Sequence, residues 1–168
     1  MNGMTVRLAQ AADVEVIYQM VRESAIEQGG EHELCVDPAN LLQDGFALQP
    51  PRFQCLLAEQ DGKPAGIALY FLIYSTWTSR LSVYLEDIYV APAYRRQGAA
   101  RLLMQELARI ACDNGCFQAR WLVLRENTSA IRFYESIGAE LVEDTASARI
   151  LGSALTRLAE QDNTSVTQ

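Results

Sequence analysis

Tyr84-Leu85-Glu86-Asp87-Ile88-Tyr89-Val90-Ala91-Pro92-Ala93-Tyr94-Arg95-Arg96-Gln97-Gly98-Ala99-Ala100-Arg101-Leu102-Leu103-Met104 reads as a strand, a turn, a basic loop of small residues and the first turns of a helix. That order places unpaired backbone N–H groups and the positive end of a helix dipole just after a strand. Gly98, Ala99 and Ala100 have little or no side chain, so an anion can approach that backbone closely. Arg95, Arg96 and Arg101 add positive charge, and Gln97 adds a further donor. The loop lacks the Gly-Lys-Ser/Thr of a P-loop and holds one glycine where a dinucleotide fingerprint has three. A phosphate cradle therefore follows a strand that carries two carboxylates, Glu86 and Asp87.

Working outward, strands are expected at Thr5–Leu8, Gln54–Glu59, Ala65–Trp77, Leu81–Val90, Ala119–Leu124 and Glu140–Glu143. A helix opens after Asp13, with Ile17, Met20, Val21, Ser24 and Ala25 on one face, and stops at Gln28-Gly29-Gly30. Asp37-Pro38 starts a second, because Asp caps and Pro suits the first helical position. Asp61-Gly62-Lys63-Pro64 is a turn by composition. Ala99, Leu103, Leu107 and Ile110 give helical spacing over Gly98–Asn114. Asn127 can cap a further helix over Thr128–Ile137, with Gly138 just past its end. Ala148–Leu155 is open between strand and helix. Strands in series followed by βαβ alternation predict a mixed α/β (α+β) sheet with helices on both faces.

The chain has 168 residues, enough for one domain, expected over 1–158 with a polar, frayed tail over 159–168. Its net charge of −7 argues against nucleic acid as a partner, since phosphate backbones select clustered Lys and Arg. No apolar run is long enough for a membrane span, and Met1-Asn2-Gly3-Met4-Thr5-Val6-Arg7-Leu8 does not read as a secretion signal. A cytoplasmic protein with reduced thiols is the expectation. The four cysteines form no Cys-x-x-Cys pair and the one histidine, His32, is remote in sequence, so no metal site is expected.

The acidic strand, Val90-Ala91-Pro92-x-Tyr94-Arg95, the Gly98-Ala99-Ala100 helix start and Asn127…Phe133-Tyr134…Gly138-Ala139 resemble the GNAT acyltransferase superfamily. The resemblance runs from Val6 to about Leu158. Within the superfamily the chain looks most like the diamine, or spermidine/spermine, N-acetyltransferase group, on Leu41–Phe46, Tyr70–Trp77, Tyr84–Asp87 and Asn127–Ala139. Two departures stand out: Ala100 where the family commonly has Gly, and a poor match over Glu27–Leu34, where the family shapes its amine pocket.

The resemblance implies a strongly twisted sheet whose strand Leu85–Val90 splays from the parallel strand Ala119–Leu124. It implies acetyl-CoA as cosubstrate, with pantetheine paired to the backbone of Ile88, Tyr89 and Val90 and the pyrophosphate on Arg95, Arg96, Gln97, Gly98, Ala99, Ala100 and Arg101. Asn127 caps its helix or touches the pantetheine arm. It implies direct transfer to a small-molecule amine and a homodimer, with no covalent cysteine intermediate.

An alkylammonium has a pKa near 10.4 and attacks a thioester only after losing a proton. Glu86 and Asp87 fall on opposite faces of an alternating strand, so at most one of them faces the amine directly. Glu86 is the candidate base, directly or through water, and Asp87 has a supporting hydrogen bond or pocket-edge charge. By the family match Tyr134 is the candidate acid for the leaving thiolate. Glu31 and Glu33, with Glu27, either bind a distal ammonium or form a solvated face. Trp77, with Tyr74, either lines a channel and stacks on a cation or packs in a core or interface. Other acceptors, an aminoglycoside or a protein amine, and a non-catalytic acyl-CoA-binding domain are the competing readings.

Overall fold

The computed structural model describes residues 3–160. Ten elements follow in order: β1 (Met4–Leu8), α1 (Val14–Glu27), α2 (Pro38–Leu42), β2 (Gln54–Gln60), β3 (Lys63–Ser75), β4 (Arg80–Val90), α3 (Ala99–Asp113), β5 (Ala119–Arg120), α4 (Thr128–Ser136) and α5 (Gly152–Glu160). The chain divides between Asn127 and Thr128 into two compact units.

In the first unit the five strands pair in chain order. β1 to β4 are antiparallel neighbours, while β4 and β5 run parallel. The β2–β3 hairpin closes through Asp61 and Gly62, both at positive φ (51° and 76°), the geometry its two-residue turn requires. Residues directly opposite in a ladder share a face. Cys55, Leu57, Ile67, Leu69 and Tyr89 form one cluster with Ile17 and Met20 of α1. The alternate positions Leu56, Ala58, Ala68 and Tyr70 are also buried, on the other side of the sheet, as are Leu103 and Leu107 of α3. α3 packs on β1, β2, β3 and β4. Helices on both faces of a mixed sheet are the architecture expected.

Asp37 caps α2 as expected: its carboxylate accepts from the Ala39 N–H at 3.0 Å, with Pro38 at the first position. α2 passes at Leu42 into a wide π turn over Gln43–Ala47.

Two expectations are corrected, and one open stretch is resolved. The strand over Ala119–Leu124 is two residues long, pairing only Val83 with Ala119 and Tyr84 with Arg120. Residues 121–124 have the composition of a strand, but no ladder continues to hold them. Glu140–Glu143 forms no strand, and Leu141 and Val142 are exposed there; apolar content without a pairing edge does not make a strand. The ambiguous Ala148–Leu155 stretch has no regular structure up to Leu151 and then enters α5.

The second unit contains α4 and α5. α4 ends with the Gly138 N–H bonded to Glu135 O and the Ala139 N–H to Tyr134 O, with Gly138 at φ 91°. α5 continues through Glu160. The rest of the predicted tail lies outside the described residues.

Candidate active site

β4 pairs with β5 only up to Tyr84, so on that side its backbone from Leu85 to Val90 has no strand partner. Ala91 N–H donates to Ala65 O on the β3 side. Backbone groups alternate along a strand, so the N–H and C=O of Val90 and Ile88 point to the open side. This is an edge on which an amide-bearing chain can pair. β3 presses close from behind: a Cβ added to Gly66 would lie 2.6 Å from Tyr89 O.

Glu86 has a special place. Leu69 faces Asp87 and Tyr70 faces Leu85, so Glu86 is the extra residue of a β-bulge. The strict alternation assumed for the two acids is interrupted here, because a bulge sets two residues against one. Leu85 falls on the α3 face with Tyr70, Asp87 falls on the α1 face with Leu69, and Glu86 lies between them, exposed. Asp87 is half-buried and accepts a hydrogen bond from the buried Ser24 hydroxyl at 3.0 Å. Gln28 Nε2 in turn donates to Ser24 Oγ at 3.1 Å. Burial pushes the Asp87 carboxyl above the usual carboxylate range, and the neighbouring Glu86 charge adds to this, against the Ser24 bond.

The loop after β4 makes one tight turn over Pro92–Tyr94 and then crosses two positive-φ residues, Arg96 (58°) and Gly98 (96°). Gly98 is the N-cap of the 15-residue α3, and no side chain caps that end. The first-turn N–H groups of Ala99, Ala100 and Arg101 therefore lack intrahelical partners. Arg96 and Arg101 are exposed, and among the described residues neither forms an ion pair. Gln97 folds back, donating from Nε2 to Ala93 O at 2.8 Å.

Arg95 is engaged differently. Its Nη2 donates to both carboxylate oxygens of Glu27 (2.6 and 2.7 Å), and its Nε donates to Val90 O at 2.8 Å. The guanidinium lies over the Tyr89 ring, 5.6 Å from its centroid. Tyr89 donates to Glu23 Oε2 at 2.9 Å, and burial with that bond pushes its hydroxyl up to about 12. Neither the Arg95–Glu27 pair nor the roles of Glu23 and Tyr89 follow from local sequence, since α1 and β4 stand more than sixty positions apart.

The remaining candidates lie on other elements. Glu31 and Glu33 are exposed on a single turn after α1, and Glu33 lies 3.9 Å from His32. Trp77 is 98% exposed in the β3–β4 turn, beyond the end of β4 opposite to Val90, so it packs in no core of this chain. Asn127 closes the first unit, its N–H bonded to Leu124 O at 2.9 Å. Tyr134 is buried on α4, its ring 5.4 Å from that of Phe133. All four cysteines are free thiols; Cys55 is buried, which pushes its thiol up to about 12 and leaves it a poor nucleophile. Among the described residues, no three His, Cys, Asp or Glu side chains gather as a metal site, and no helix is long and apolar enough to cross a membrane.

Residues 16–139 match the sequence model of the Acetyltransferase (GNAT) family. Thialysine N-epsilon-acetyltransferase of Mus musculus is 37% identical over 170 residues, spanning 95% of this chain and 99% of that protein. Spermidine/spermine N(1)-acetyltransferase-like protein 1 of Homo sapiens is 34% identical over 83% of this chain and 21% of that protein. An integron cassette protein from V. cholerae superposes with a TM-score of 0.76 at 22% identity, over 95% of this chain and 99% of that one, which speaks to the fold.

Proposed function

The chain belongs to the GNAT family of N-acetyltransferases, and from that premise we propose that it moves the acetyl group of acetyl-CoA directly onto a primary amine of a small diamine, polyamine or lysine-like amino acid. The open edge of β4 beside the uncapped start of α3 carries this reading. Ile88 and Val90 offer backbone groups for the pantetheine amides, with Tyr89 between them. The N–H groups from Gly98 to Arg101, with Arg96, Gln97 and Arg101, meet the pyrophosphate. Asn127 lies by the pantetheine arm. Acetyl-CoA supplies the activated thioester, and this chain's residues supply orientation and proton transfer.

The acceptor amine is held mostly as ammonium near neutral pH, and deprotonating it costs roughly 4–5 kcal/mol at pH 7. Glu86, lifted out of the ladder by the bulge, takes that proton. The amine nitrogen bonds the acetyl carbon and releases its second proton as the carbon–sulfur bond breaks; Tyr134 gives its hydroxyl proton to the departing sulfur and regains one from solvent, which takes up the proton the nitrogen released. Asp87 stays on the α1 face and supports the Glu86 side of the site through charge. Glu31 and Glu33 supply negative charge for a second ammonium, and Trp77 contributes to acceptor recognition from a second subunit of a homodimer. The protein works as a cytoplasmic enzyme without a metal, on small molecules rather than nucleic acid or membrane.

The acceptor class rests on the names of the relatives: thialysine in one and spermidine/spermine in another. A turnover screen with acetyl-CoA against spermidine, spermine, putrescine, lysine, thialysine and aminoglycosides tests it. Release of CoA with one of the first five amines is expected. Release with aminoglycosides alone would replace the acceptor assignment.

A further inference from the structure

We infer that Arg95 is a positioning residue for the pantetheine arm, fixing the Val90 carbonyl through a clamp formed with Glu27, rather than a ligand of the pyrophosphate. This rests on the placement of pantetheine along β4 proposed above. The turn over Pro92–Tyr94, closed by Tyr94 N–H on Ala91 O and Arg95 N–H on Pro92 O, reverses the chain and brings Arg95 back onto β4. There one planar fork serves two elements. Nε holds Val90 O, and Nη2 spans both oxygens of Glu27 from α1.

The guanidinium is thereby neutralised and geometrically fixed. A charge already bound to a carboxylate at 2.6 Å contributes little to a diphosphate, whereas among the described residues Arg96 in the loop and Arg101 in the first turn of α3 form no ion pair. A carbonyl oxygen has two lone pairs. Arg95 takes one of those on Val90 and leaves the other for an incoming amide N–H, while holding the carbonyl in place. Tyr89 completes the clamp: its ring lies under the guanidinium, and its hydroxyl bonds Glu23, one turn before Glu27 on the same helix. Because α1 also carries Ser24, which bonds Asp87, the helix ties the pantetheine edge to the acid pair.

The test compares acetyl-CoA with acetyl-pantetheine, which lacks the diphosphate and nucleotide. With active enzyme counted in each preparation, Arg95→Met is expected to raise KM about tenfold for both cosubstrates. Arg96→Met is expected to raise KM for acetyl-CoA alone. Glu27→Gln, which keeps Arg95 but loosens the clamp, is expected to follow the Arg95 pattern more weakly, and Arg95→Lys should not restore the wild-type values, since an ammonium lacks the planar fork. A general loss of folded protein would lower kcat and leave both KM values in place.

If Arg95→Met raises KM for acetyl-CoA only, the residue is a phosphate ligand and the inference falls. If both KM values stand unchanged in Arg95→Met and Glu27→Gln, the clamp has no positioning role. Wild-type turnover of acetyl-CoA but not of acetyl-pantetheine would remove the pantetheine register on which the inference rests. Absence of turnover with either would remove the acetyltransferase reading as well.

Discussion

Glu86 stands where β4 has one residue more than β3 can face, and that single insertion separates two adjacent carboxylates into different environments. Asp87 is drawn against α1 and bonded to Ser24, whereas Glu86 is left exposed, as the proposed base requires. Replacing Glu86 with Gln preserves shape and removes the base, and is expected to lower kcat/KM by about 10²–10³-fold. The loss should shrink as pH rises toward the pKa of the free amine. An unchanged rate and profile would remove Glu86 from the chemistry. Tyr134→Phe is expected to lower kcat with little change in KM for acetyl-CoA, and unaltered turnover would exclude it as the acid.

Asp87 also makes a prediction about stability. Its folded-state pKa is raised, mainly by burial, above the ordinary 3.8. The folded protein therefore holds that proton more tightly than the unfolded chain. The resulting stabilisation is complete below pH 3.8 and is lost as pH rises through the raised value. Asp87→Asn keeps an acceptor for the Ser24 hydroxyl and removes the titration. Urea melts between pH 3.5 and 7 should show the wild type losing stability relative to Asp87→Asn with rising pH. A pH-independent difference would contradict the assigned environment.

At the scale of elements, the site depends on β4 keeping one edge paired to β3 and the other without a strand partner beyond Tyr84. Gly66 on β3 lets the two strands approach closely opposite Val90, where a Cβ would meet Tyr89 O at 2.6 Å and Val90 Cα at 3.3 Å. Gly66→Ala is therefore expected to cost about 1–3 kcal/mol. It should also raise KM for acetyl-CoA by displacing the β4 edge. Thermal or urea unfolding measures the first and initial rates the second; a variant unchanged in both would show that β3 does not set that edge.

The elements read most securely from sequence are those whose signals are local. Asp37-Pro38 names its own cap, Asp61-Gly62 its own turn, and the spacing of Leu103 and Leu107 the buried face of α3. Composition overstates β5 and residues 140–143, because a strand is a relation between two edges and composition reports only one of them. The bulge at Glu86 is likewise a property of the β3–β4 register, invisible in Tyr84–Val90 alone. The same holds for Arg95: its basic character is legible, but its commitment to Glu27 depends on where α1 packs.

For the molecule as a whole, the fold does two separate things. α1 and α3 fix opposite faces of one sheet, and the divergence of β4 from β5 opens its edge beside the start of α3. On the proposed reading that edge holds acetyl-CoA beside the amine, so the acetyl group is not stored on the protein. Cys55 fits that reading, since it is buried and kept protonated, and the direct route needs no cysteine. The central claim of direct transfer is tested by initial rates with acetyl-CoA and an accepted amine both varied. Intersecting double-reciprocal lines, with the amine required for CoA release, are predicted. Parallel lines, with a burst of CoA before amine is added, would contradict it.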